Sequence, residues 1–222
     1  MVTTFLFSLL VLDQTLANFV AQYGTWVYVL LFVIIFAETG FVIFPFLPGD
    51  SLLFVAGAVA ASTMLDVHLI VVLLMTAAIL GDSVNYAIGR KIGQRVYTWP
   101  DSRLFKRAYL VRTQMFYDKY GSMTIVIGRF VPIVRTFAPF LAGVVAMPYP
   151  RFLTYNIAGG VLWICSLVYL GYFFGNIPFI KNNLTFFVIG IVIVSVIPII
   201  VTYFKERAAA KKQRAEETVR SE

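Results

Sequence analysis

The chain has 222 residues, of which 60% are hydrophobic and only 13% charged, with a formal net charge of +7 and a mean hydropathy of +0.85. These values exclude an ordinary soluble domain and predict an all-α polytopic membrane protein. One histidine, His68, and one cysteine, Cys165, supply neither a metal-ligand cluster nor a disulfide framework, and no glycine-rich phosphate loop of nucleotide-binding spacing is present. The expectation is therefore a protein that is not an enzyme, holds no cofactor or metal, binds no nucleic acid and draws any energy from a gradient.

Residues 1–25 are apolar around Asp13 and contain no basic residue, which argues against a cleaved signal peptide. Leu9, Leu12, Leu16, Phe19 and Val20 recur at helical spacing and predict a helix lying in the membrane interface. The membrane domain then occupies 26–204. Its first span is 26–44, interrupted by Glu38 and ended by Pro45, Pro48, Gly49 and Asp50, after which 51–61 reads as a half-helix. Residues 69–89 form the next span. The basic stretch 90–119 follows, with Leu104, Ala108, Val111 and Met115 on one helical face and Arg103, Lys106, Arg107, Arg112 and Lys119 on the others, as in an interfacial amphipathic helix. Two further spans are predicted at 152–174 and 184–204, and 205–222 is a charged tail.

The stretch 124–147 is the anomaly. It is apolar, yet it carries Arg129, Pro132, Arg135 and Pro139, and an arginine at mid-bilayer costs at least about 2.5 to 3.5 kcal/mol. Neither arginine has a carboxylate within a helical turn, and both prolines argue against a straight lipid-facing helix. Broken cationic backbone at membrane depth belongs around a cavity or binding site. Charge placement agrees: the positive-inside rule puts 90–119 and the tail on the cytoplasmic side, which requires 124–147 to enter and return. An internal repeat points the same way. Phe54-Val-Ala-Gly-Ala-Val-Ala60 matches Phe140-Leu-Ala-Gly-Val-Val-Ala146, and each is followed by a span ending in paired glycines, Gly89 and Gly93 or Gly171 and Gly175. The expected architecture is about four full spans plus two opposed re-entrant hairpins forming an inverted repeat, with both termini cytoplasmic.

Aligned in this way, Asp50 and Thr136 each fall at the start of a half-helix and are predicted N-caps. Two half-helix N-termini, with Arg129, Arg135 and Thr136, form a candidate site for an anion such as a phosphate. Glu38 and Asp50 are the candidate proton carriers, Asp50 being expected to resist ionisation through burial; for Glu38 the alternative is a structural pair with an arginine. Asp82 is assigned a packing or hydrogen-bonding role, with Arg90 as a further supporting residue, and Trp163 to the core or the lipid face.

The runs Glu38-Thr-Gly40, Phe46-Leu-Pro-Gly-Asp-Ser-Leu-Leu53, Gly81-Asp82, Gly89-Arg90, Gly128-Arg-Phe-Val-Pro-Ile-Val-Arg-Thr-Phe-Ala-Pro139, Ala142-Gly143, Asn156, Gly159 and Trp163 resemble the DedA family of bacterial inner-membrane proteins, which carry a VTT (SNARE-associated) domain. The resemblance covers almost the whole chain. It implies two opposed re-entrant hairpins, a role in envelope homeostasis and cell division, and translocation of undecaprenyl phosphate or phospholipid linked to the proton motive force. It also implies dependence on Glu38, Asp50, Arg129 and Arg135. Membrane lipids and protons are thus the expected partners, and a homo-oligomer is compatible. The alternatives are a proton/cation antiporter that affects lipids indirectly and a non-transporting membrane assembly factor.

Overall fold

The computed structural model describes residues 24–41, 49–98 and 107–181, and these are helical with no strand among them. Residues 1–23 of the expected interfacial helix, the last span and the tail lie outside the described residues, while Gly24 and Thr25 belong to the first helix. The helices are α1 (Gly24–Gly40), α2 (Gly49–Ala60), α3 (Val67–Ile92), α4 (Arg107–Tyr120), α5 (Thr124–Ile127), α6 (Pro132–Val144), α7 (Tyr149–Gly175) and α8 (Pro178–Lys181), with a 3₁₀ segment, Gly93–Thr98, after α3.

Among the described residues two helices are long and apolar enough to cross a membrane: α3 with 26 residues and α7 with 27. At 1.5 Å per residue each exceeds the hydrocarbon thickness of about 30 Å. Asp66 starts α3 by accepting hydrogen bonds from the His68 and Leu69 N–H groups at 2.8 and 3.2 Å. Arg90 and Lys91 in its last turn, followed by Gly93 at φ 60°, end it. By contrast α2, with 12 residues, and α6, with 13, are each about 20 Å or less in length, too short to cross.

These short helices exchange partners. The short helix of the first half, α2, packs on α7, the long helix of the second; α6 packs on α3 in return. The contacts are equivalent. Gly57 of α2 lies on the Val168 carbonyl and Gly171 of α7 on the Phe54 carbonyl; Gly143 of α6 lies on the Tyr86 carbonyl and Gly89 of α3 on the Phe140 carbonyl. Each glycine faces backbone where a Cβ has no room. The matching heptapeptides noticed in sequence are therefore the two interlocking surfaces of this exchange. Gly143→Ala is expected to cost about 1–3 kcal/mol, since the obstacle is main chain that no rotamer change removes. Gly57→Ala should cost a similar amount. Unfolding in mixed detergent micelles checks both, and a wild-type midpoint for either variant contradicts the interlock.

The stretch 124–147 is broken as expected, though by one proline rather than two. After α5 and a 3₁₀ turn, Gly128–Phe130, the backbone becomes extended at Val131 (φ −117°, ψ 108°), and Pro132 opens α6. Pro139 lies inside α6, which continues through it. Neighbouring helices donate to carbonyls of this short helix: Asn85 Nδ2 to Thr136 at 2.9 Å and the Tyr117 hydroxyl to Ala138 at 2.9 Å.

The basic helix packs on α6 through a different side from its predicted apolar face, which is left exposed. In α4 the buried side is Leu110 and Thr113, with Tyr109 and Tyr117 partly covered, whereas Ala108, Val111 and Met115 are exposed. The helix carries apolar residues on two sides, and α6 takes the one whose Tyr109 ring meets Phe137 edge-on and whose Tyr117 hydroxyl reaches Ala138. Leu104 lies outside the described residues. The main core joins α1, α2, α3 and α7 through Ile35, Leu53, Leu74 and Ile164, with Cys165 packed against it as a structural residue.

Candidate functional site

Where α1, α2, α3, α6 and α7 meet, two arginines and three carboxylates form one network. Arg135 projects from the first turns of α6 and bridges two acids on different helices: Nη1 donates to Asp50 Oδ1 of α2 at 2.6 Å, and Nη2 donates to Glu38 Oε1 near the end of α1. Arg129, in the 3₁₀ turn ahead of the break, donates from Nη2 to Asp82 Oδ2 of α3 and to Asn156 Oδ1 of α7. Trp163 of α7 joins the halves. Its ring lies 5.6 Å from the Arg129 guanidinium and 5.1 Å from that of Arg135, and its Nε1 donates to Asp50 Oδ1 at 2.9 Å.

Burial divides the acids sharply. The Glu38 and Asp82 side chains are 1% and 5% exposed, and the arginines 3% and 7%, while Asp50 is 52% exposed. Buried charge of this kind persists only when paired and hydrogen-bonded. Asp50 is thus the member that reaches the surface, contrary to the expectation that burial would hold its proton. With two cations against three carboxylates, the network has one acid in excess when all are ionised. Its arginine side is incompletely used as well: among the described residues Arg129 Nε and Nη1 are buried without a hydrogen-bond partner.

Local sequence explains the placement. Gly49 lies against the Glu38 carboxylate, where any Cβ would overlap it. Gly159 leaves room for the Arg129 stem, its vacant Cβ position being 3.0 Å from Nε. Asn156, Gly159, Gly160 and Trp163 form one polar and small-residue face of α7 turned to the network, and Asn156 Nδ2 also fixes α7 to the Ile79 carbonyl at 3.1 Å. On α3, Asn85 Nδ2 ties Thr39 and Thr136 carbonyls together at 3.2 and 2.9 Å, linking α1 to α6.

The predicted site residues are sorted accordingly. Glu38, Asp50, Arg129 and Arg135 come together. Asp82, predicted in a packing or hydrogen-bonding role, accepts from Arg129 as its direct ion-pair partner. Thr136 is buried near the site but is not an N-cap: it stands five residues into α6, whose cap position is Val131, with no side-chain cap. Asp50 likewise lies in the first turn of α2, its carboxylate turned to Arg135 and Trp163. Arg90 is exposed at the far end of α3 and donates to the Tyr86 hydroxyl at 3.1 Å, outside the network. The aromatic and amide members, Trp163, Asn156 and Asn85, were not singled out as site residues; the one signal available was the spacing of Asn156, Gly159, Gly160 and Trp163 on a single helical face.

Residues 47–173, which include all of this network except Glu38, match the model of the VTT domain. Over 203 residues the chain is 51% identical to Protein DedA of Escherichia coli (strain K12), covering 90% of this chain and 93% of that one. This chain belongs to the DedA family. It is also 44% identical over 174 residues to an uncharacterized membrane protein of Mycobacterium tuberculosis, covering 78% and 76% of the two chains. A further relative is the inner membrane protein YghB of Escherichia coli (strain K12), 36% identical over 159 residues, or 71% and 72% of the two. No solved structure matches.

Proposed function

We propose that this protein moves a phosphate-bearing lipid, undecaprenyl phosphate or a phospholipid, across the inner membrane with the help of the proton motive force, in support of envelope homeostasis and cell division. The observation that carries the reading is the division of the network into sealed charges and one open acid. Arg135 holds Glu38, which is sealed, and Asp50, which is half exposed. Protonation of Asp50 from water removes the charge opposite Nη1 and frees that donor for a phosphate oxygen, while Glu38 keeps the guanidinium in place. Arg129 contributes Nε and Nη1, its two donor nitrogens without a partner among the described residues. Deprotonation restores the ion pair and expels the anion. No covalent step is involved. The short α2 and α6 then serve as two opposed re-entrant hairpins around the site, with both termini on the cytoplasmic side.

One observation favours a second reading. Arg135 is already paired with two carboxylates, as in a proton/cation antiporter whose arginines are only counter-ions. Proteoliposomes separate the two, with labelled lipid and a lumenal pH dye followed under an imposed gradient. Lipid movement is expected, and Asp50→Asn should keep it while losing dependence on the gradient, because the amide mimics the protonated acid. Full gradient dependence in Asp50→Asn, or ion flux without lipid movement, overturns the lipid reading. Neither movement leaves the assembly-factor alternative.

A further inference from the structure

The half-exposed acid of the network is held at a single oxygen. Arg135 Nη1 at 2.6 Å and Trp163 Nε1 at 2.9 Å both donate to Asp50 Oδ1, and among the described residues Oδ2 accepts no hydrogen bond. The two donors differ in what they need from the acid. The guanidinium bond is charge-assisted and weakens when the carboxylate is neutralised. The indole N–H is a neutral donor, so it bonds a carboxylate oxygen and the carbonyl oxygen of a protonated acid alike. A proton arriving from water at Oδ2 therefore loosens Arg135 and leaves the Trp163 bond in place. Trp163 is itself fixed, being buried in the main core. Its ring lies within the cation–π range of about 6 Å from both guanidiniums, which keeps Arg135 beside the acid when their direct bond weakens. Core filling alone requires neither contact, since a phenyl ring also supplies a large apolar surface.

We propose that Trp163 is the positioning residue for Asp50: its N–H holds Oδ1 in both protonation states, so that proton uptake at Oδ2 unloads Arg135 without moving the acid. The proton comes from water, an O–H bond forms at Oδ2, and one negative charge disappears opposite Nη1. The gate is then a change of charge at a fixed point, not a swing of the side chain. The other charges around it, Glu38 on α1, Asp82 on α3 and Arg129 ahead of α6, are sealed and stay paired. This inference rests on the protonation of Asp50 in the transport reading and adds the residue that keeps the acid in place.

Infrared difference spectra of the full chain in liposomes, taken between neutral and acidic pH, test this through the carbonyl stretch of protonated Asp50, identified as the band that Asp50→Asn removes. Replacing the Trp163 indole by benzothiophene keeps the fused rings and puts sulfur where the N–H was. The band is then expected to move to higher wavenumber, as a carbonyl does on losing a donor. Gradient-dependent lipid movement in the same liposomes should fall about fivefold, the scale of one hydrogen bond. Replacing the indole by 5-fluoroindole, which keeps the N–H, should leave both at the wild-type level, whereas a purely packing role predicts no band shift in either protein. An unmoved band in the benzothiophene protein, or equal shifts in the two, overturns the positioning role. A spectrum from which Asp50→Asn removes no band overturns it together with the protonation step it serves. A shifted band with no lipid movement in any of the proteins sinks the transport reading alone, and undiminished lipid movement with an unmoved band sinks the positioning role alone.

Discussion

Arg135→Met is expected to destabilise the protein by about 3–5 kcal/mol, and Glu38→Met/Arg135→Met to recover most of that loss. The single change leaves the Glu38 carboxylate, 1% exposed, without its cation in a low-dielectric interior. Removing both partners replaces a buried ion pair by apolar volume, which is often neutral. Asp50 does not spoil the rescue, because it is 52% exposed rather than sealed and keeps the Trp163 Nε1 hydrogen bond once Arg135 is gone. Arg135→Lys should fall between: the charge is kept, but one ammonium does not reproduce the planar fork that bridges acids on α1 and α2. Unfolding in mixed detergent micelles measures all three. A double variant as unstable as Arg135→Met shows that the pair's energy is not electrostatic. The double variant should be folded yet inactive in lipid movement, which separates the network's structural contribution from its function.

The second large effect is at Asp82. Asp82→Asn strands Arg129 with the Asn156 oxygens but no counter-charge, at an expected cost of about 3–5 kcal/mol. Asp50→Asn makes the same chemical change to the other arginine's partner, yet should cost only about 0–1 kcal/mol, since a half-exposed pair is screened and Glu38 still neutralises Arg135. The contrast follows from burial, 5% against 52%. Parallel unfolding of the two variants decides it, and equal losses contradict the division into sealed and open acids. Asn156→Ala should lie between them at about 1–3 kcal/mol, the range for a lost buried hydrogen-bond partner.

The sequence by itself determined that the chain is a helical membrane protein, that 124–147 is interrupted, and that two similar heptapeptides recur. Composition and proline chemistry are local properties, visible without a fold. It also marked Glu38, Asp50, Arg129 and Arg135 as unusual, because charge in apolar sequence is costly wherever it lies. Only the tertiary structure decided who pairs with whom. The partners of Arg129 and Arg135 are 47, 85 and 97 residues away, far beyond any helical spacing. It decided likewise that Thr136 sits within α6 rather than capping it, that Pro139 does not interrupt the helix, and that α4 buries its tyrosine side. Neighbours take part in each: Asn85 and Tyr117 donate to the Thr136 and Ala138 carbonyls of α6, and α4 turns Tyr109 and Tyr117 toward α6. The exposure of Asp50 is of the same kind. A carboxyl among apolar residues looks buried in one dimension, but whether water reaches it depends on the packing of α2, α6 and α7 around it, which no stretch of the chain records alone.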